Sequence, residues 1–332
     1  METQPAFACY RITKHLAEGY CSKVYLADHT ITGEARALKV FESNEPAAVD
    51  FFANELAVLA ETSHPNLIAL LDHGRTTDSG ANFLAFEYVS GTDFVSASRD
   101  VSQHQFYAML AQVCRGLDYL HCRGLIHGDL KPQNLLVSAQ GASKREAPLV
   151  KLVDVGFSTS LRKPSDGKLR GSATYLAPET ILGERPTTSS DLYSFGAVLY
   201  ECLAGRPPFM GDDVGAVLQQ QLQDQPQPIE GEVLKELHPI VYRLLSKIPT
   251  RRAASAAELL QQLNSASPAG QFRLHTADTW ASITRSGPMV GRQGLLHVPL
   301  ETLRSLRGGT SRQRAPCLLI IGPPGVGKSR MV

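Results

Sequence analysis

The stretch Leu125–Val137, LIHGDLKPQNLLV, decides the fold that this sequence is expected to adopt. Asp129 stands five positions before Asn134, and a second aspartate, Asp154 in VKLVDVGFS, follows 25 positions after the first. Between them, the polar insertion SAQGASKREAP, 138–148, joins two short apolar runs. We interpret this insertion as the tip of a hairpin.

Two carboxylates and an amide in this pattern suit the transfer of a phosphoryl group. One carboxylate orients the attacking hydroxyl and accepts its proton, whereas the second carboxylate and an amide oxygen hold magnesium, a hard cation that prefers oxygen ligands. The transition state also needs a cation near the phosphates. Lys39, in the predicted strand ALKVF, can supply it, and Glu55 on the following predicted helix can hold that lysine in place.

The sequence around these motifs changes character near Val101. Before this point, strand-like alternating stretches surround one predicted helix, 48–63, whose apolar residues recur at helical spacing. After it, SQHQFYAMLAQVCRGLDYLHCRG reads as an amphipathic helix stopped by Gly124. Further helices are predicted at 191–204, 215–222, 239–246 and 255–263. The order predicts an α+β protein in which a small β-rich lobe precedes a larger helical lobe.

The motifs together resemble the eukaryotic-type protein kinase family, over about residues 7–263. Ala37-Leu38-Lys39 is similar to the family's A-x-K strand, and Asp154 in DVG to its magnesium-binding aspartate. Ala177-Pro178-Glu179 resembles the end of the activation segment, with Arg252 as the buried ionic partner. Asp191 matches the helix aspartate that anchors the catalytic loop.

This resemblance implies a bilobal protein kinase fold at 7–266, with the small lobe at about 7–89 and the large lobe at about 90–266. It implies ATP and Mg²⁺ as cofactors, with Mn²⁺ as an alternative. The catalytic residues that it implies are Lys39, Glu55, Asp129, Lys131 and Asn134. The residues that it places against the nucleotide are Ala17, Gly19, Val24, Ala37, Lys39, Phe86, Glu87, Val89, Leu136 and Asp154. The implied metal ligands are Asn134 and Asp154.

The acceptor is implied by the same resemblance. Asp129-Leu130-Lys131-Pro132 is the serine/threonine form of the catalytic loop, and Ser172 stands where such enzymes usually carry a threonine. We therefore expect a serine/threonine protein kinase with a signalling role, whose partner is a protein substrate with a Ser or Thr acceptor.

Three departures from the family pattern keep an alternative open. The loop LAEGYCSKVY retains only Gly19, with Ala17 and Ser22 where the family prefers glycine, so weaker ATP binding is expected. Gly128 replaces the arginine that pairs with a phosphate on the activation loop. Val155 replaces a phenylalanine, which predicts a looser hydrophobic spine. The alternative is a pseudokinase module that binds ATP weakly and regulates an attached signalling ATPase.

The end of the chain carries a second nucleotide-binding motif. GPPGVGKS, 322–329, follows the apolar run CLLII and fits the phosphate-loop pattern G-x-x-x-x-G-K-[ST]. The stretch 289–303 resembles the entry sequence of AAA-type and related STAND-like ATPases. We expect a linker at 267–288 and, at 289–332, the truncated first strand and P-loop of an α/β ATPase domain of the kind fused to bacterial kinases. The downstream ATPase domain of a longer protein is therefore an expected partner. Since three residues follow the motif, the working nucleotide site is expected between Lys39 and Asp154, and an ATPase based on Lys328 is disfavoured.

Bulk composition restricts the other function classes. A formal net charge of +1 gives no reason to expect nucleic acid or an anionic membrane as a partner. The six cysteines are scattered without a C-x-x-C pair, which suits reduced thiols. The stretch METQPAFACY lacks the pattern of a signal peptide, and the most apolar segment, 192–205, is too short to span a bilayer. A cytoplasmic location is expected.

Overall fold

The computed structural model describes residues 5–19, 21–41, 46–138, 147–155, 173–232, 234–268 and 271–279. The activation-segment residues 156–172 and the terminal phosphate-loop motif lie outside these ranges, as does most of the predicted hairpin tip.

The first lobe is a five-stranded antiparallel sheet with one helix against it. Its strands are β1 (Tyr10–Glu18), β2 (Ser22–His29), β3 (Ala35–Phe41), β4 (Leu70–Arg75) and β5 (Asn82–Glu87), in the spatial order β1-β2-β3-β5-β4. The helix is α1 (Pro46–Ala60). Because successive strand residues face opposite sides, Leu38 and Val40 fill a small core on one face. Lys39 and Phe41 therefore lie on the other face, towards the main core and α1.

The second lobe is helical and begins with a small sheet. Its helices are α2 (Phe94–Ser98), α3 (Gln103–His121), α4 (Pro178–Ile181), α5 (Thr188–Ala204), α6 (Val214–Gln223), α7 (His238–Leu244) and α8 (Ala256–Ala266). The small antiparallel sheet consists of β6 (Thr92–Asp93), β7 (Leu135–Ser138) and β8 (Leu149–Leu152). Helix α3 starts at a capping box between Ser102 and Gln105, and the chain reverses after it at Gly124, whose φ is +70°.

Backbone hydrogen bonds connect the two lobes behind the cleft. The loop between α1 and β4 pairs with β8, since Leu152 donates to the carbonyl of Asn66 at 2.8 Å and Ile68 donates to that of Leu152 at 2.9 Å. The Asn66 amide also donates to Gln112 of α3 at 3.0 Å. These bonds hold the end of β8, and hence Asp154, beneath the face of the sheet that carries Lys39.

Part of the stretch predicted as a linker, 267–288, lies within the described ranges. Residues 271–279 run along α3, where Phe272 packs against the core. The Asn264 side chain donates to the carbonyl of Phe272 at 2.9 Å and accepts from its amide at 2.7 Å. Arg115 donates to a backbone carbonyl of the same segment at 2.8 Å.

Within the described ranges, no helix combines the length and the apolar character that crossing a bilayer requires.

Candidate active site

A buried cation lies between two carboxylates at the base of the small lobe. Nζ of Lys39 donates to both carboxylate oxygens of Glu55 on α1, at 3.0 and 2.8 Å, and to Oδ1 of Asp154 at 2.6 Å. Lys39 and Glu55 are 6% and 4% exposed, so water contributes little to their solvation. Lys39 lies on β3, Glu55 on α1 and Asp154 just after β8, and the structure brings the three side chains together.

The electrostatics of this group follow from one cation shared by two acids. Burial alone would lower the pKa of Lys39, but the charges of Asp154 and Glu55 outweigh it and raise that pKa. Burial favours protonation of Asp154, yet the neighbouring Lys39 holds the pKa of Asp154 below its usual value. Burial, together with the charge of Asp154, raises the pKa of Glu55 despite the opposing effect of Lys39. The ammonium group of Lys39 thus lies closer to Asp154, at 2.6 Å, than to either oxygen of Glu55.

A second polar group surrounds the carboxylate of Asp129 on the loop before β7. Nζ of Lys131 donates to Oδ2 of Asp129 at 2.6 Å, and the Asn134 amide donates to the same oxygen at 3.1 Å and to the Asp129 carbonyl at 2.7 Å. Among the described residues, Oδ1 of Asp129 accepts no hydrogen bond, so this atom is available to an incoming hydroxyl. The Asn134 amide nitrogen is engaged, which leaves its carbonyl oxygen for a cation.

The backbone of this loop is fixed by a buried aspartate on α5. Asp191, 1% exposed, accepts hydrogen bonds from the backbone amides of His127 and Gly128, each at 2.8 Å, and contacts His121 at 2.8 Å. His127 is fully buried and contacts the Val153 carbonyl at 3.0 Å, as expected of a packed histidine. The anchoring role that the resemblance implied for Asp191 thus agrees with its contacts.

Two residues of the site have a backbone in the left-handed region. Gly128 has φ +78°, which glycine adopts without steric cost. Asp154 has φ +60°, one of two non-glycine residues with positive φ among those described. Such a conformation costs about 1 to 2 kcal/mol and persists where the surroundings over-determine it, often at functional sites. The short contact with Lys39 is one such constraint.

Five of the residues predicted to line the nucleotide lie on one face of the first sheet. Strand register sets Val24 opposite both Ala17 and Lys39, and Ala37 opposite Phe86. Directly opposed residues of antiparallel strands point to the same side, so all five share the face that carries the lysine.

Three other predicted contacts, Leu136, Val89 and Gly19, lie outside the strands of the first sheet. Leu136 stands on β7, opposite Asp93 and Lys151, and Val89 packs partly against the main core. Gly19 is exposed in the turn after β1, where its amide donates to the Ser22 carbonyl at 2.7 Å. Val155 is 1% exposed within the main core, and the predicted looseness of its packing stays a prediction.

Sequence reasoning missed a polar contact behind the connecting segment. Nζ of Lys151 on β8 lies 2.6 Å from Oε1 of Glu87, and the same oxygen accepts from the Ala69 amide at 2.9 Å. The carboxylate of Glu87 therefore ties β5 to β8, and the backbone amide of Glu87 donates to the Ala69 carbonyl at 3.1 Å. The pattern of apolar residues in LVKLV predicts that Lys151 lies on a strand, but nothing in the sequence indicates that it pairs with Glu87.

The end of the activation segment is held by a buried ion pair. Arg252 donates to both carboxylate oxygens of Glu179 at 2.7 and 2.8 Å, and Ser190 donates to one of them at 2.7 Å. The side chains are 0% and 7% exposed. The pairing of Glu179 with Arg252 that the resemblance implied is present.

Comparison with known proteins agrees with this geometry. The profile of the family described as "Protein kinase domain" matches residues 10–263. "Serine/threonine-protein kinase PknB" of Mycolicibacterium smegmatis is 32% identical over 270 residues, which cover 76% of this chain and 42% of the relative. A "Probable serine/threonine-protein kinase PknB" of Lactococcus lactis is 30% identical over 264 residues, covering 76% and 41%. The chain thus spans about two fifths of the length of these relatives. With its small β-sheet lobe, its helical lobe and the matched motifs, the chain belongs to the protein kinase family.

Proposed function

We propose that this chain is a serine/threonine protein kinase that transfers the γ-phosphoryl group of ATP to Ser or Thr hydroxyls of proteins in a signalling role. One observation carries the proposal: Lys39 bridges Glu55 and Asp154 beneath the cleft, with all three contacts formed. This arrangement presents a cation where phosphate charge develops. The two relatives, which are named as serine/threonine-protein kinases, support the same reaction and acceptor.

Asp129 orients the acceptor and takes up its proton. Its Oδ2 is held by Lys131 and Asn134, so the carboxylate cannot rotate freely and Oδ1 faces the incoming hydroxyl. Hydrogen bonding to an uncharged hydroxyl favours its attack once the proton can leave, and such general-base help is worth roughly 10² to 10⁴ in rate. Lys131 also lies close enough to neutralise negative charge that builds up beside Asp129.

The nucleotide and metal requirements fit the residues present. Membership of this family implies ATP and a divalent cation, usually Mg²⁺, and Mn²⁺ would bind the same oxygen donors. Asn134 and Asp154 each offer an oxygen that the described contacts leave unused, which suits a hard cation. When bound, Mg²⁺ neutralises phosphate charge. Ala17, Val24, Ala37, Phe86 and Leu136 would enclose the base, with the backbone of Glu87 and Val89 beside it and Gly19 over the phosphates.

A weakly ATP-binding pseudokinase module that regulates an attached ATPase is the second candidate. The exposed hairpin turn with a single glycine, Gly19, favours it, because a Cβ at the neighbouring positions keeps the backbone away from phosphate. The contacts of Lys39 and Asp129 favour the enzyme, because these residues act in phosphoryl transfer, whereas the glycine-poor turn affects only the affinity for ATP.

The wider organisation is also proposed. Residues 289–332 would begin a STAND-like ATPase domain, which supplies the GPPGVGKS motif and acts as the kinase domain's partner. The scattered cysteines, with five free thiols among the described residues, support a reducing compartment such as the cytoplasm. The charge balance favours protein partners over nucleic acid.

The test is phosphate transfer by the purified chain from labelled ATP, with Mg²⁺, to myelin basic protein. Asp129→Asn should abolish transfer and leave ATP affinity nearly unchanged, since this carboxylate orients the hydroxyl and does not hold the nucleotide. Asp100→Asn, on the exposed turn after α2, is the matched control and should behave as wild type. Equal activity of wild type and Asp129→Asn would refute the enzyme and favour the regulatory module.

A further inference from the structure

Residues 271–279, which follow α8, lie against one side of α3, and we call them the docked segment. The ring centroid of Phe272 lies 5.5 Å from that of His104, near the start of α3. The backbone carbonyl of Arg273 accepts a hydrogen bond from Nε of Arg115 at 2.8 Å. His104 and Arg115 are eleven positions apart, about three helical turns, so they lie on the same side of the helix. The docked segment is therefore bound at two separate points along α3.

The far end of the docked segment is buried as well. Thr279 is 2% exposed, its amide donates to the Thr276 hydroxyl at 3.3 Å, and its hydroxyl accepts from the Thr276 amide at 2.7 Å. This is the reciprocal pattern of a capping box, and residues 277–279 are helical. Leu274 packs against the main core beside Phe272. The docked segment is thus fixed along its length, although it lies beyond 10–263, the range that matches the kinase family.

The adjoining surface of α3 holds strand β8. Oε1 of Gln112 accepts a hydrogen bond from the amide of Val150 at 2.9 Å. Gly116 has no side chain, and a Cβ at this position would lie 3.0 Å from a methyl carbon of Leu152, so β8 lies directly on the helix. Gln112 stands three positions before Arg115, and residues at this spacing are neighbours on a helix surface. The side chain that holds the docked segment and the side chain that holds β8 are therefore adjacent.

The end of β8 in turn fixes both proposed metal ligands. The amide of Val153 donates to the carbonyl of Asn134 at 3.0 Å, and Asp154 follows directly and contacts Lys39 at 2.6 Å. Packed elements shift between discrete arrangements rather than deforming continuously. The arrangement of α3 against β8 that accepts the docked segment is thus the one that holds Asn134 and Asp154 in place.

We propose that α3 carries a docking surface for residues 271–279 of this chain, and that docking there strengthens the binding of Mg²⁺-ATP in the cleft. The proposal rests on the proposed kinase function and adds to it a control by chain that lies beyond the matched domain. Coupling between two binding events is reciprocal. Nucleotide in the cleft therefore holds the docked segment more firmly on α3.

The test measures both directions of this coupling. Trypsin cleavage after Arg273, followed by mass spectrometry with and without Mg²⁺ and a non-hydrolysable ATP analogue, reports release of the docked segment. The analogue should slow this cleavage in wild type by about fivefold or more, as is usual for coupled sites. Phe272→Ala removes the contact with His104, and it should weaken equilibrium binding of the analogue by a similar factor. It should also speed cleavage after Arg273.

Three controls separate docking from general stability. Gln271→Ala, at the exposed neighbouring position, should change neither measurement. Phe272→Leu keeps an apolar side chain and should restore most of both. Cleavage after Lys235, exposed in the turn before α7, should not respond to the analogue, because only unfolding of the whole domain would link the two.

Three outcomes would overturn the proposal. The first is an unchanged rate of cleavage after Arg273 when the analogue is bound. The second is equal slowing after Arg273 and Lys235, which a merely stabilised domain would show. The third is wild-type affinity for the analogue in a folded Phe272→Ala, and if this variant does not fold, the two cleavage rates of wild type decide alone. Failure of the proposed kinase activity looks different, because wild type would then transfer no phosphate to protein while the binding and cleavage results stand.

Discussion

The ammonium group of Lys39 lies 2.6 Å from a carboxylate oxygen of Asp154, although 115 residues separate the two in the chain. Glu55 contributes a second carboxylate at 2.8 Å on the opposite side. Neither acid alone explains the position of the lysine. The ammonium group of Lys39 is instead held by a residue of α1 and a residue after β8 together. Its position therefore depends on the correct placement of both elements.

Replacing Lys39 should therefore lower the rate of phosphoryl transfer more than replacing Glu55. Lys39→Met removes the cation and leaves two acids facing each other, and we expect kcat to fall by about 10² to 10³, the range for a lost charge-stabilising group. Glu55→Gln keeps an oxygen for Lys39, so a smaller fall with a higher KM for ATP is expected. Steady-state phosphorylation rates at varied ATP measure both effects.

The matched control for this prediction is Lys23→Met. Lys23 lies on the adjacent strand β2, 4.0 Å from the exposed Glu18. This variant should keep wild-type rates within about twofold, in line with the small worth of surface ion pairs. Equal losses in Lys39→Met and Lys23→Met would contradict the assignment.

Gly128 offers a second prediction, because its φ of +78° is strained for any residue with a Cβ. Gly128→Ala should lower the free energy of unfolding by about 1 to 2 kcal/mol and should also lower kcat, since Asp129 is the next residue. Gly124, with φ +70° in the exposed turn after α3, is the matched control. Gly124→Ala should cost similar stability and leave kcat unchanged. Urea unfolding and rate assays on both variants separate strain from catalysis, and unchanged kcat in Gly128→Ala would contradict the prediction.

The sequence predicts the long elements well, for physical reasons. Helices with a continuous apolar stripe, such as α3 and α8, are confirmed at nearly the expected places. The elements that escaped prediction have weak local signals. Strand β4 is mostly exposed and contains Asp72 and Gly74, so its side chains do not alternate. Helix α2 has only five residues, too few for apolar residues to recur at helical spacing.

The other features that the sequence did not predict are contacts between residues far apart in the chain. The Glu87–Lys151 pair spans 64 residues, and its partners become visible only when β5 and β8 are brought together. Likewise, 271–279 has a linker-like composition, yet the side chains of Asn264 and Arg115 bind its backbone. The composition of a segment describes only its side chains. It therefore cannot predict these hydrogen bonds, which are made to the backbone of the segment.

Arg252 carries a third prediction, about stability rather than rate. Its guanidinium is fully buried, with two bonds to Glu179 and one to the Ser246 carbonyl at 2.9 Å. Arg252→Met leaves the buried Glu179 carboxylate with the Ser190 hydroxyl but without a cation, which costs about 3 to 5 kcal/mol of unfolding free energy. Arg11→Met, in the exposed pair with Asp28, should change it by at most about 1 kcal/mol. Urea denaturation midpoints compare the two, and similar shifts would show that burial does not decide the effect.

The 271–279 segment gives a fourth prediction. Asn264→Ala removes the two bonds to Phe272, leaving a backbone amide and a carbonyl to find other partners, at a cost of about 1 to 3 kcal/mol. Limited proteolysis should then cut after α8 faster than in wild type. Ser265→Ala, which removes an exposed hydroxyl bonded within its own helix, is the matched control and should be cut at the wild-type rate. Equal cleavage of all three proteins would mean that Asn264 does not hold the segment.

The last prediction concerns pH and His64 in the loop between α1 and β4. This histidine is 8% exposed, and its Nδ1 accepts a hydrogen bond from the backbone amide of Asn66 at 3.1 Å, as a neutral ring does. Burial, followed by the charges of Arg115, Lys151, Arg123 and His275, lowers the pKa of His64 from 6.5 to about 4. The folded state thus binds this proton less readily than the unfolded chain.

The sign of the pH effect follows from this difference. The contribution of neutral His64 to stability is complete above about pH 6.5 and is lost as the pH falls towards 4. The slope of the unfolding free energy against pH approaches about 1.4 kcal/mol per pH unit, and the whole effect of His64 is at most about 3.4 kcal/mol. His64→Gln keeps an acceptor without a titrating ring, so its unfolding free energy should fall less between about pH 7 and about pH 5. His73→Gln, at an exposed position on β4, should keep the wild-type slope. Urea unfolding at both pH values decides the matter, and parallel slopes for wild type and His64→Gln would show that another group carries the dependence.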